Sequence, residues 1–144
     1  MIDNIKLKLK QGKYLEVEQI YKEMNAFRFR DILMNTAYET EGINVYGFIA
    51  YMTRKPENVE WIKLAVDIML NPLCFIEGAY STALFHAREL LSTDRNVENL
   101  ERILFFYNIP ERLIDENEAR CIAEELLAIE CNNKVAFQVI NGGI

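Results

Sequence analysis

From Tyr14 onward the apolar residues recur at intervals of three and four, which is the period of a helix. Ile62, Ala65, Val66 and Met69 form one stripe, and Ala79, Ala83, Ala87 and Leu90 a second. Leu100, Ile103, Leu104 and Tyr107 form a third, and Ala119, Ile122, Ala123 and Leu126 a fourth. Breakers fall between the stripes: Gly12, Gly42, Pro56, Asn71-Pro72, Asp94-Arg95-Asn96 and Asn108-Ile109-Pro110. The pattern predicts helices over about 3–11, 14–24, 27–40, 43–54, 57–70, 77–92, 96–108, 115–130 and 132–141. Only Ile5-Lys6-Leu7-Lys8-Leu9-Lys10 alternates with period two. A lone strand has no partner in this chain, so a helix is expected there too. The expected fold class is all-α, built from stacked antiparallel helical hairpins in a single domain, 1–144.

The helices also repeat. Asn58-Val59-Glu60 recurs as Asn96-Val97-Glu98, 38 residues on. At that shift Ile62 matches Leu100, Val66 matches Leu104, Pro72 matches Pro110, Ile76 matches Ile114 and Glu77 matches Asp115. Further along the shift is 36: Ala83 and Ala87 match Ala119 and Ala123, Leu90-Leu91 match Leu126-Leu127, and Asn96 matches Asn132. A single hairpin cannot bury its own apolar stripe, so repeated hairpins are expected to stack on one another. The Ala residues at these positions are expected to be buried where helices approach closely.

These units resemble tetratricopeptide-type repeats. Glu124-Glu125-Leu126-Leu127-Ala128-Ile129-Glu130-Cys131-Asn132-Asn133 is similar to the end of that family's second helix. Gln11-Gly12-Lys13-Tyr14-Leu15-Glu16-Val17-Glu18, followed by Tyr21, is similar to its turn and second helix, and Ala119 falls where the family keeps a small residue. The chain departs from the family in its period and in carrying Cys131 and Arg95 where a Pro is usual. It also lacks the Trp and Gly of the first helix, and 26–56 fits poorly. The resemblance implies a right-handed α-solenoid of about nine helices and a groove for a partner, and no catalytic residue.

Composition narrows the function. The 144 residues carry 16 Lys+Arg against 22 Asp+Glu, a formal charge of -6, with one His. A single imidazole excludes a site of clustered histidines, and an acidic chain is a poor match for phosphate backbones. Residues 1–55 hold 9 basic and 7 acidic groups, whereas 56–144 hold 7 and 15. Such an acidic half accelerates encounter with basic partners. The cluster Lys6, Lys8, Lys10 and Lys13 is too small to reverse this, so neither nucleic acid nor membrane is expected as a partner. Cys74, Cys121 and Cys131 match no metal-binding spacing, and each has apolar neighbours. They are expected to be reduced and to pack as small hydrophobes in a cytoplasmic protein. The start, Met1-Ile2-Asp3-Asn4, lacks a signal peptide's pattern.

Candidate chemistry is sparse. His86 could approach Thr82, four residues earlier on its helix, or Cys74 through the hairpin. A mid-helix Thr hydroxyl tends to bond its own backbone, and no third orienting residue is evident. Asp115 and Glu116 open a helix, where acids cap free amides, and Glu124 and Glu125 fall off the apolar stripe. Asn141-Gly142-Gly143 reads as a helix stop, and no phosphate loop, metal or cofactor site is expected.

The aromatics carry the remaining signal. In Phe105-Phe106-Tyr107 the side chains cannot share one face; Leu104 and Tyr107 belong to the stripe, which leaves Phe105 or Phe106 to point elsewhere. Trp61 lies on the equivalent helix one unit earlier, and Tyr46, Phe48 and Tyr51 on the helix before that. Pro72-Leu73-Cys74-Phe75-Ile76-Glu77-Gly78-Ala79-Tyr80, with the small size and acidity, resembles bacterial immunity proteins, which neutralise a cognate toxin. The expected function is therefore a stoichiometric inhibitor that binds a basic protein. Trp61, Tyr80 and Phe105 or Phe106 would be anchors, and Glu98, Glu101 and Asp115 the acidic rim. The alternatives are a regulatory adaptor that binds a peptide and a small hydrolase or transferase centred on His86.

Overall fold

The computed structural model describes residues 1–142. Among them there are nine helices and no strand: α1 (Ile2–Lys10), α2 (Tyr14–Lys22), α3 (Ala26–Thr40), α4 (Ile43–Met52), α5 (Val59–Leu70), α6 (Ala79–Thr93), α7 (Val97–Asn108), α8 (Glu116–Ile129) and α9 (Lys134–Ile140). The all-α hairpin fold is thus present, and the alternating Ile5–Lys10 segment lies in α1 with Ile5 and Leu9 buried one turn apart. Gly12, at φ +70°, turns the chain out of α1, a left-handed conformation that costs glycine little. Of the expected helix stop at the end of the chain, Asn141 caps α9 and Gly142 has φ +80°, while Gly143 lies outside the described residues.

The residues separate into two compact units, Met1–Ala83 and one beginning at Leu84. In the first, α1 packs on α2 and α4, and α3 packs on α4 and α5, which also face each other. Its centre is aromatic. Phe29 and Phe48 are fully buried, and Tyr14, Tyr21, Tyr51 and Trp61 close around them. Edge-to-face pairs such as Tyr21–Trp61, with centroids 5.1 Å apart at 76°, align a positive ring edge with a negative face.

In the second unit α8 packs between α7 and α9. Ala87, Ala119 and Ala123 are fully buried here, and Ala83 is fully buried in the first unit. The repeated Asn residues have structural work. Asn58 and Asn96 both stand at helix starts, of α5 and α7. Asn96 accepts the Asn99 amide, as a cap should, whereas Asn58 instead donates to the Thr53 carbonyl. The third start uses Asn133, not Asn132; its side chain accepts the Ala136 amide and donates to Glu101. Buried Asn99 donates to the carbonyls of Leu90 and Asp94, which ties the start of α7 to the end of α6.

Candidate functional site

The residues with catalytic potential are engaged locally. His86 is 3% exposed, and its Nδ1 lies 2.6 Å from Oε1 of Glu89. The Thr82 hydroxyl donates to the Gly78 carbonyl at 2.9 Å, the back-bond expected of a mid-helix Thr. Cys74, Cys121 and Cys131 are all exposed, which corrects the expectation that they pack as small hydrophobes. Cys121 has apolar Ile122 beside it but lies off the Ala119/Ile122/Ala123/Leu126 stripe, and angular position on the helix overrides neighbour identity. No cluster of three or more His, Cys, Asp or Glu suited to a metal occurs among the described residues.

The expected partner-binding residues divide between the two units. Trp61 and Tyr80, in the first, are half-buried. In the second, Phe106 is fully buried, which removes it as an anchor, while Phe105 is 40% exposed and turns its ring edge-to-face with Phe106. Tyr107 is only half-buried, with the Arg112 guanidinium 4.4 Å over its ring. Of the rim acids, exposed Glu98 bonds Arg102 at 2.7 Å and Glu101 accepts from Asn133 at 2.8 Å. Asp115 is the N-cap of α8 and accepts the Glu118 amide at 2.8 Å.

The second unit spends its arginines internally. Arg95 forks onto Glu125 with two bonds of 2.8 Å and holds that carboxyl below the ordinary carboxylate range. Arg88 forks likewise onto Glu118, and Arg120 lies 3.7 Å from Glu116. Bidentate guanidinium–carboxylate pairs fix both partners in orientation. From Leu84 on, 6 basic groups face 11 acidic ones, so these pairings leave carboxylates in surplus. Glu111 and Glu124 are exposed and form no ion pair among the described residues. In the same unit the apolar side chains of Phe85, Phe105, Ile129 and Phe137 reach the surface.

The first unit has a cleft that sequence reasoning missed. It lies where α2, α3 and α5 meet and holds about 280 Å³, with Tyr21, Phe27, Arg30, Glu60, Trp61 and Leu64 on its walls. Phe27 is 80% exposed. It precedes the buried series Phe29, Ile32, Leu33, Thr36 and Ala37 and lies off that face, which was the available signal. A second feature without a sequence signature is the buried carboxylate of Glu18. It accepts from the Tyr51 hydroxyl at 2.8 Å, with Lys55 at 3.4 Å and Lys22 at 3.9 Å. The Tyr51 bond, and then the lysines, hold Glu18 below the usual range against the opposing effect of burial.

Comparison with known protein families, curated proteins and solved structures finds no match to this chain. No helix among the described residues is long and apolar enough to cross a membrane.

Proposed function

We propose that this chain is a non-catalytic protein-binding module that acts stoichiometrically on a basic protein, in the manner of a bacterial immunity protein masking a toxin. The observation that carries this reading is the charge arrangement after Leu84. Arg88, Arg95, Arg102 and Arg120 are paired with Glu118, Glu125, Glu98 and Glu116, so with Arg112 and Lys134 as the cations outside these pairs, the surface after Leu84 keeps a surplus of carboxylates for a partner to meet. Exposed carboxylates and surface apolar groups such as Phe105 and Phe85 in one unit combine steering with anchorage: the charge speeds encounter, and burial of the rings slows dissociation. The tetratricopeptide-like hairpins would supply the scaffold, and inhibition would follow from occlusion of the toxin's own site.

The test is capture from a lysate of the host with the full chain and with the double variant Glu111→Lys/Glu124→Lys. Both positions are exposed, so the fold is expected to tolerate the change. The reading requires a basic protein retained by the wild type and lost from the variant. Retention of acidic proteins only, or equal retention by both forms, would reject it.

A further inference from the structure

The cleft between α2, α3 and α5 is built for a ligand smaller than a protein surface. Its floor is a set of interlocked rings: Tyr21 is wedged edge-to-face between Phe29 and Trp61, and Trp61 meets Phe48 at 5.7 Å and 86°. Rings packed against one another in this way lose little further freedom when something packs against them, which favours binding. At about 280 Å³ the space suits one or two side chains and lies at the lower end of the range of about 300–1,000 Å³ typical of small-ligand pockets.

The charges at the mouth decide what kind of side chain. Arg30 bonds Asp67 at 2.6 Å, so its cation is already matched. Glu60 is paired as well, but more loosely: its side chain is 76% exposed, and its ion pair is with Lys63 at 3.6 Å along the same helix. The mouth thus presents an exposed, loosely paired carboxylate to an incoming cation above an apolar floor, with Phe27 standing as an outer wall.

We propose that this cleft seats a large apolar side chain of a protein partner whose adjacent residue is basic, with the Glu60 carboxylate receiving that cation. The proposal deepens the reading of the chain as a binder of basic proteins and rests on it, but it concerns the first unit, whereas that reading rests on the carboxylates after Leu84. Because Trp61 is the sole Trp, the cleft contains its own reporter.

The experiment titrates the full chain with N-acetyl-Phe-Lys-amide, N-acetyl-Phe-Glu-amide and N-acetyl-Gly-Lys-amide, following Trp61 fluorescence and its indole NMR signal. The Phe-Lys probe is expected to give saturable shifts at roughly millimolar concentration, in keeping with its few atoms. The Phe-Glu probe should bind at least about threefold more weakly, and the Gly-Lys probe should not saturate. Phe27→Ser, a change at an exposed position, should weaken Phe-Lys binding severalfold without moving Tm, and Glu60→Lys should reverse the preference to Phe-Glu. No saturable shift with Phe-Lys, equal binding of Phe-Glu, or equal binding of Gly-Lys would overturn the proposal. So would concentration-dependent self-association abolished by Phe27→Ser, which would make a second copy the occupant. A chain that captures a basic partner yet ignores the probes loses this inference alone; one that binds the probes yet captures nothing loses the broader reading and with it the protein partner, and keeps only the cleft's preference for an apolar side chain next to a cation.

Discussion

The Tyr14 hydroxyl donates to the Asn44 carbonyl at 3.1 Å and, in doing so, occupies the place where any residue but glycine at position 47 would put its Cβ. Gly47 is inside α4, where glycine ordinarily weakens a helix by about 1 kcal/mol relative to alanine. Here the missing methyl lets α2 and α4 close on each other, with the Tyr14 ring edge-to-face with Phe48 and tilted against Tyr51. Gly47→Ala should therefore destabilise the protein by about 1–2 kcal/mol, because displacing the phenol costs its hydrogen bond and repacks a tight site. In a Tyr14→Phe background the same substitution should become close to neutral. A double-mutant cycle from chemical denaturation measures this coupling; additive effects would contradict the contact.

Glu18 confers a pH dependence of known sign. Its folded carboxyl titrates below the ordinary value of about 4.3, first because Tyr51 bonds the anion. Stability from this group is fully present above that ordinary value and is lost as pH falls through the lowered folded value. Glu18→Gln should cost about 1–3 kcal/mol at neutral pH, as for a hydrogen bond to a charged group. The difference between variant and wild type should shrink as unfolding is measured at progressively lower pH below about 4. A difference constant from pH 7 to pH 3 would refute the role given to this carboxylate.

The small residues shared by the repeated segments should resist enlargement. Ala83→Leu and Ala119→Leu are each expected to lose roughly 1–3 kcal/mol through overpacking, since both sites are fully buried. Ala128→Leu, at an exposed position on the same helix as Ala119, should lie within about 0.5 kcal/mol of wild type. Thermal melts of the three variants check the contrast.

Thr36 points the other way. It is buried within α3, and its hydroxyl has no hydrogen-bond partner among the described residues. Thr36→Val keeps the branched shape and removes the unsatisfied group, so it should stabilise the protein by about 1 kcal/mol or more. A lowered Tm would show that the hydroxyl has a partner.

The helices were legible in the sequence because their signals are local. Period, Asn caps and Pro or Gly stops fall within a few residues of one another, and Asp94-Arg95-Asn96 and Asn108-Ile109-Pro110 mark the ends of α6 and α7. Relations between distant residues were not legible. That Glu18 meets Tyr51 and Lys55, or that Arg95 forks onto Glu125, depends on how hairpins close, and no periodicity encodes it. The Phe105/Phe106 ambiguity had the same origin: they lie about 100° and 200° around the helix from Leu104, and only the neighbours of α7 decide that Phe106 goes inside. The cleft escaped notice because its rings come from three helices, and Phe27 lies in 26–56, the stretch that resembled no repeat.

The central claim is that the chain works by occupying its partner, one molecule for one, and the direct measurement is a titration of the captured basic protein with the intact chain by calorimetry alongside the partner's own activity. The account predicts saturation and complete loss of that activity at a 1:1 ratio, with a slower association at high salt as the acidic surface is screened. Neutralisation of many partner molecules by a small fraction of one chain, or a chemically altered partner recovered afterwards, would contradict it.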